Sequence, residues 1–371
     1  MTIEERSEII GTSILATPPL PLSEAVVPRL GHMSSLDFLR GFAALSVMFY
    51  HFSGGPPMLS HVMGGGTLAK FYSPALRDLF SWGNMGVEVF FVISGFVIPY
   101  SLWNSHYRIK HFANYMTKRI LRVCPPTYVA MLFLLTQEFI ICRFIHDNSP
   151  PYHSPSLELV FRNLLFLYTD SGDSRWINSV NWTLAIEFQF YILIGILFKP
   201  MFKNNGFGLF VLVFILLSLP NFIPGFPPYL YFHYNALFAM GGTALLYYKK
   251  RVSDIPFALA IALFFVLTWV TVGLLAASFG VITVGVIVFF KTKNRLFNFF
   301  GKISFSLYLT HIMVGAVTEF LLAKVFPPQT DTQHVVGILF IAAIACGAAS
   351  LFYWLIEKPT LQLVKQLRST H

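Results

Sequence analysis

The sequence predicts an all-α, polytopic integral membrane protein of about ten transmembrane helices, and three observations carry that prediction. Charged residues make up only 12% of the 371-residue chain, hydrophobic residues make up 55%, and the mean hydropathy is +0.64. A soluble domain carries about a quarter charged residues, so half that share places the chain in the membrane class. Apolar runs near the ~20 residues needed to cross a bilayer recur along its length. Lys and Arg are also spread unevenly between alternate connecting segments.

Taken in order, the apolar runs lie at about 36–54, 81–103, 124–142, 182–198, 207–223, 229–248, 256–272, 275–290, 299–323 and 335–356. With the N-terminus in the cytoplasm, 19 of the 26 Lys and Arg residues fall in inside segments and 6 outside, with Arg40 inside the first run. Positive-inside topology then predicts two cytoplasmic termini in the cell (inner) membrane. Residues 1–33 are polar, acidic at Glu4, Glu5 and Glu8, and rich in proline. They lack the pattern of a secretory signal and predict a flexible cytoplasmic tail. A transmembrane domain over 34–360 follows, then a short cytoplasmic tail over 361–371. The segment 157–168, LELVFRNLLFLY, is too short to cross and holds Arg162, which predicts an amphipathic or re-entrant helix. The long outer segment 143–181, with Asp147, Asp170 and Asp173, predicts part of an outer vestibule.

The net charge of +9 follows from loop topology, so no nucleic-acid partner is predicted. Cys124, Cys142 and Cys346 are scattered without metal spacing, which predicts neither a metal site nor a disulfide framework. No internal repeat of the transporter type is visible.

Ionisable groups at membrane depth are costly and mark functional sites by default. Arg40 and His51 share the first run, SSLDFLRGFAALSVMFYHF. Eleven residues at ~1.5 Å rise separate them by roughly 16 Å on nearly one helical face. Glu88 lies in the second run, Glu187 in the fourth, and His311 and Glu319 in the ninth. His51, Glu88 and Glu187 are expected at similar depth in the outer third of the membrane. Plainer readings stand beside these: snorkelling for Glu187, a hydrogen-bonded interfacial ring for His51, a head-group anchor for Arg40, and a structural role for Glu319. Gly83, Gly86 and Gly95 suit close helix approach. Ser304, Tyr308 and His311 fall on one helical face and either bond across spans or line a cavity. Arg119 and Arg122, one turn apart in the basic segment 104–123, suit a phosphate or simply obey positive-inside topology.

Five ordered segments over 36–360 resemble the acyltransferase-3 family of membrane-bound acyltransferases. LDFLRGFAALSVMFYHF is similar to its opening motif, with Arg40 and His51 at the Arg-X10-His positions. GVEVFFVISGF resembles the second motif, with Glu88 at an acidic position and Ser94-Gly95-Phe96 following. YMTKRILRVCPP resembles the basic motif, with Arg119 and Arg122 at its Arg-X-X-Arg positions. NWTLAIEFQFY matches a Trp-Ser-Leu-x-x-Glu segment, with Thr183 for Ser and Glu187 in place. ISFSLYLTH and IEKP resemble the closing signatures. The chain departs from the pattern at Cys124, where an aromatic or aliphatic residue is common, and at Pro126.

The resemblance implies transfer of an acyl group, acetyl above all, from acetyl-CoA or another acyl-CoA to a hydroxyl of a cell-surface carbohydrate or similar acceptor. On that reading Arg40, Arg119 and Arg122 hold the donor. His51 acts as base, with Glu88 or Glu187 orienting it, or forms an acyl-imidazole. Ser94, Ser304, Tyr308 and His311 are the further candidates for lining the cavity. No metal is implied. The rival readings are a transporter or flippase for a glycolipid or acidic metabolite, and a non-catalytic membrane scaffold.

Overall fold

Residues 34–53, 74–140, 143, 154–167, 176–203, 205–227, 230–291 and 294–369 are described by a computed structural model, and among them every regular element is helical. The segment 1–33, Cys142, Asp147, Asp170 and Asp173 lie outside the described residues. In lipid a backbone must satisfy its own hydrogen bonds, which leaves helices as the open-chain solution.

Thirteen α-helices follow in order among the described residues. They are α1 (Ser34–Phe52), α2 (Pro74–Phe80), α3 (Gly86–Asn104), α4 (Phe112–Ile140), α5 (Leu157–Leu164), α6 (Asn181–Phe202) and α7 (Phe207–Ser218). Next come α8 (Tyr231–Tyr248), α9 (Asp254–Thr271), α10 (Leu274–Phe289), α11 (Arg295–Val325), α12 (Asp331–Phe352) and α13 (Lys358–Ser369). Each of the ten apolar runs overlaps one of these helices. Six stretches are long and apolar enough to cross a membrane: Pro74–Asn104, Ile109–Ile140, Asn181–Phe202, Asp254–Thr271, Arg295–Val325 and Asp331–Gln366. The other four runs fall on α1, α7, α8 and α10. Of these, α7 and α10 are apolar but short, and α1 carries Asp37 and Arg40. Along α8 every residue from Asn235 to Leu246 is buried by neighbouring helices, so its face need not match lipid.

Two seams position the site. α1 lies along α11, and α11 along α12. Ala44, Met48 and Phe52 there meet Leu307, Ala323, Ile338, Ala342 and Ala345. In the second seam α3 lies along α8. Gly95 faces the Phe238 backbone and Gly241 faces that of Val92, so neither position has room for a Cβ. Gly83 and Gly86 meet the α1 carbonyls of Ser46 and Ala43 in the same way. Small residues thus let backbones approach, as the sequence suggests. Aromatic packing joins α6 to α8, with the Phe190 and Phe238 ring centroids 4.4 Å apart. On α9, Ile255, Leu259, Val266 and Trp269 are exposed, an apolar outer face of the kind lipid covers.

Three local findings refine the sequence reading. α4 starts at Phe112 and continues through Pro125 and Pro126, so residues 112–123 of the basic segment are the first part of a helix. Prolines are tolerated in such helices when neighbours satisfy the freed carbonyls. Within the 157–168 segment, Leu157–Leu164 form the short amphipathic α5, capped by the Ser156 side chain accepting from Leu159 N. The 361–371 segment is helical as far as Ser369, and α13 packs on α4. Leu361 and Val364, three residues apart, are its half-buried face.

Candidate active site

A cavity of about 830 Å³, its open mouth included, lies between α1, α3, α4, α6 and α11. Arg40, Arg119 and Arg122 all line it, while among the described residues Glu187 is the sole carboxylate in its wall. Ser94, Thr183, Tyr191 and Tyr308 supply the remaining polar groups, and Val87, Phe90, Phe91, Ile93 and Val97 are among the apolar ones. Three guanidinium groups against one carboxylate suit an anion with an apolar body.

The polar groups come from five helices, α1, α3, α4, α6 and α11. Arg40 is reached by the fields of Glu357, Asp37 and Glu187 as well as by that of Arg122. Arg119 is buried and donates through Nη2 to Ser101 Oγ of α3 over 2.6 Å. Its guanidinium also stands 5.5 Å from the Tyr191 ring centroid and 5.6 Å from that of Tyr115. Ser94 Oγ donates to Glu187 Oε1 over 2.7 Å, joining α3 to α6. The Thr183 and Tyr308 hydroxyls, 2.9 Å apart, join α6 to α11.

Six of the ten residues singled out from sequence therefore share one cavity: Arg40, Ser94, Arg119, Arg122, Glu187 and Tyr308. His51, Glu88, Ser304 and His311 are not in its wall. Ser304 Oγ donates to the Gly301 carbonyl of its own helix. Glu88, in the first turn of α3, is buried, and its Oε2 has no hydrogen-bond partner among the described residues. His51 Nδ1 and His311 Nε2 lie 2.9 Å apart with their rings stacked. The partner of the His51 ring is thus another imidazole, while Glu187 accepts from Ser94. Tyr308 links the two places, since it lines the cavity and its ring centroid is 6.1 Å from that of His311.

Several contributors carried a weaker sequence signal. Tyr191 lies one turn after Glu187 on the same face, a spacing that marks it as a neighbour. Glu357 belongs to IEKP and sits in a π-turn, Tyr353–Glu357, between α12 and α13. There it is buried and accepts from Ser306 Oγ over 2.6 Å. Nothing along the chain signals Ser101 or Ser306. Among the described residues no group of three His, Cys, Asp or Glu is placed to hold a metal ion.

The profile of a family described as an acyltransferase domain matches residues 33–354. An O-acetyl transferase of Shigella phage Sf6 is 28% identical over 197 residues, which is 49% of this chain and 57% of that protein. The "Putative peptidoglycan O-acetyltransferase YrhL" of Bacillus subtilis (strain 168) is 27% identical over 186 residues, 47% of this chain and 24% of that protein. The matched region thus spans about half of the first relative and a quarter of the second. No solved structure matches the chain.

Proposed function

The chain belongs to the acyltransferase family, and from that premise we propose that it is a membrane-bound O-acetyltransferase. It moves an acetyl group from acetyl-CoA, or another acyl group from its acyl-CoA, to a hydroxyl of a cell-surface carbohydrate or similar acceptor. The observation that carries this reading is the meeting of Arg40, Arg119 and Arg122 in one apolar-walled cavity. The names of the two relatives support O-acetylation, and one of them supports a glycan acceptor.

Ten spans with both termini in the cytoplasm of the cell (inner) membrane complete the reading, supported by the 19-to-6 split of basic residues. Arg119 and Arg122 then take the donor phosphates from the cytoplasmic side. Phe90, Phe91 and Val97 receive the pantetheine arm, and Arg40 stands along its path. The roughly 16 Å between Arg40 and His51 is covered by the arm rather than by moving the whole donor.

His51 serves as general base. It takes the proton of the acceptor hydroxyl as that oxygen attacks the thioester carbonyl. A C–O bond forms, the C–S bond breaks, and the departing thiolate takes the proton from the imidazolium to give the free thiol of CoA. Ser94 fixes Glu187 beside the cavity, where that carboxylate faces the acceptor or the arginines. Glu88 lies within electrostatic reach of Tyr308 and acts near the imidazole end.

The test uses the full chain in liposomes with acetyl-labelled acetyl-CoA and a hydroxylated glycan. Alkali-labile label in the glycan is the expected result. Movement of glycan or metabolite across the bilayer without any acetyl ester would overturn the reading in favour of transport. Mass spectrometry of surface glycans with and without the protein then identifies the acceptor by its lost acetyl increment.

A further inference from the structure

The imidazole pair stands outside the cavity wall, and its hydrogen bonds have a direction. His311 is fully buried. Its Nδ1 lies 3.0 Å from the Leu307 carbonyl oxygen and 2.9 Å from that of Tyr308. Carbonyl oxygens only accept, so Nδ1 of His311 carries a proton. A neutral ring holds one such proton, which leaves Nε2 of His311 as an acceptor. His51 Nδ1, 2.9 Å away, is then the donor. That donor role places the His51 proton on Nδ1 and leaves Nε2 bare.

We propose that His311 is a positioning residue that fixes the reactive tautomer of His51, so that a two-histidine relay presents Nε2 to the acceptor hydroxyl. The proposal rests on His51 being the base. When Nε2 takes the acceptor proton, the His51 ring gains a positive charge and keeps its Nδ1–H. The bond from that N–H to His311 Nε2 then becomes charge-assisted and stronger, at the moment when stabilisation counts. His311 cannot turn to avoid it, because two carbonyls of its own helix hold Nδ1 and α1 packs across it. No proton leaves His311 in the cycle. A carboxylate does this work in serine hydrolases; here a neutral ring does it, without a second charge buried in the seam.

Two variants and one spectroscopic measurement test the relay in the full chain. In His311→Gln the side-chain carbonyl reaches the place of Nε2 and still accepts from His51. In His311→Phe the ring volume stays and the acceptor is lost. His311→Phe should lower kcat by about 10- to 100-fold with donor KM within about twofold, and His311→Gln should recover most of that loss. Equal kcat in the two variants, at wild-type protein level, overturns the proposal. Because a buried substitution can misfold, 15N NMR of ring-labelled histidine in the wild-type protein in nanodiscs supplies an independent arm. It should show His51 protonated on Nδ1 and bare on Nε2, and the opposite tautomer overturns the relay. Full activity in His51→Gln would remove the base itself. An inactive His51→Gln beside an unimpaired His311→Phe removes only the relay.

Discussion

Arg119 Nη2 lies 2.6 Å from Ser101 Oγ, which anchors a buried guanidinium of α4 to α3 at the cavity wall. A guanidinium has five N–H donors, so this bond leaves others for a ligand. Tyr115 and Tyr191 flank the same group and limit its rotation. Ordering a long side chain in advance lowers the entropy lost on binding.

The donor clamp follows from that arrangement. Charge-assisted hydrogen bonds are worth about 1.5–3 kcal/mol each, or roughly 10- to 150-fold in affinity. Arg119→Ala with Arg122→Ala should therefore raise the donor KM by at least tenfold, measured by titrating acetyl-CoA at fixed acceptor. Arg119→Lys should recover little, because an ammonium cannot reproduce the planar fork. An unchanged donor KM would reduce both arginines to topology signals.

His51 is expected to act on turnover rather than on binding. Loss of a general base costs about 10²–10⁴ in rate. His51→Gln and His51→Ala should both fall by that order in single-turnover acetyl transfer, with donor binding retained. Wild-type turnover in either variant, at equal protein level, excludes it as base.

Ser94 and Glu187 form a second test, since their 2.7 Å bond ties α3 to α6 across the cavity. Ser94→Ala removes the donor and leaves a carboxylate oxygen short of one partner. A loss of about 1–3 kcal/mol in transition-state stabilisation is expected, read as a drop of about 5- to 150-fold in kcat/KM. Ser94→Thr, which restores the hydroxyl, should recover part of it. Equal activity in wild type and Ser94→Ala would show that the bond has no part in the reaction.

Ser306 and Glu357 are expected to matter for stability. The Ser306 hydroxyl donates to a buried carboxylate on the π-turn that joins α12 to α13. Ser306→Ala should cost about 1–3 kcal/mol, the penalty of a buried acceptor without its donor. Thermal unfolding in detergent should show the loss directly. An unaltered midpoint would mean that water replaces the hydroxyl.

Helix existence was readable along the chain because the bilayer restricts the backbone to one solution. Relations within a single helix were readable for a related reason: 3.6 residues per turn fixes which side chains share a face. Arg40 with His51, Arg119 with Arg122, and Ser304 with Tyr308 and His311 are all of this kind. The reading fell short where composition changed inside one continuous helix, and at 361–371, expected as a tail but helical as far as Ser369. α4 begins among charges and crosses two prolines, so its first part reads as a loop until Tyr115, Tyr191 and Ser101 are seen around Arg119.

Pairings between helices were not readable in that way. His51 and His311 are 260 residues apart, and no feature of either run names the other. The same holds for Ser94 with Glu187, Arg119 with Ser101 and Ser306 with Glu357. A helical pattern defines a face but not the neighbour that covers it. That choice is made where backbones come closest, at Gly95 against Phe238 and at Gly301 against Asp37. Local dihedral preference and hydrophobic length thus suffice to make the helices and set which residues look inward. The arginine cavity and the direction of the imidazole hydrogen bond come only from helix-on-helix packing, because distance and donor order exist between chains of atoms far apart in sequence.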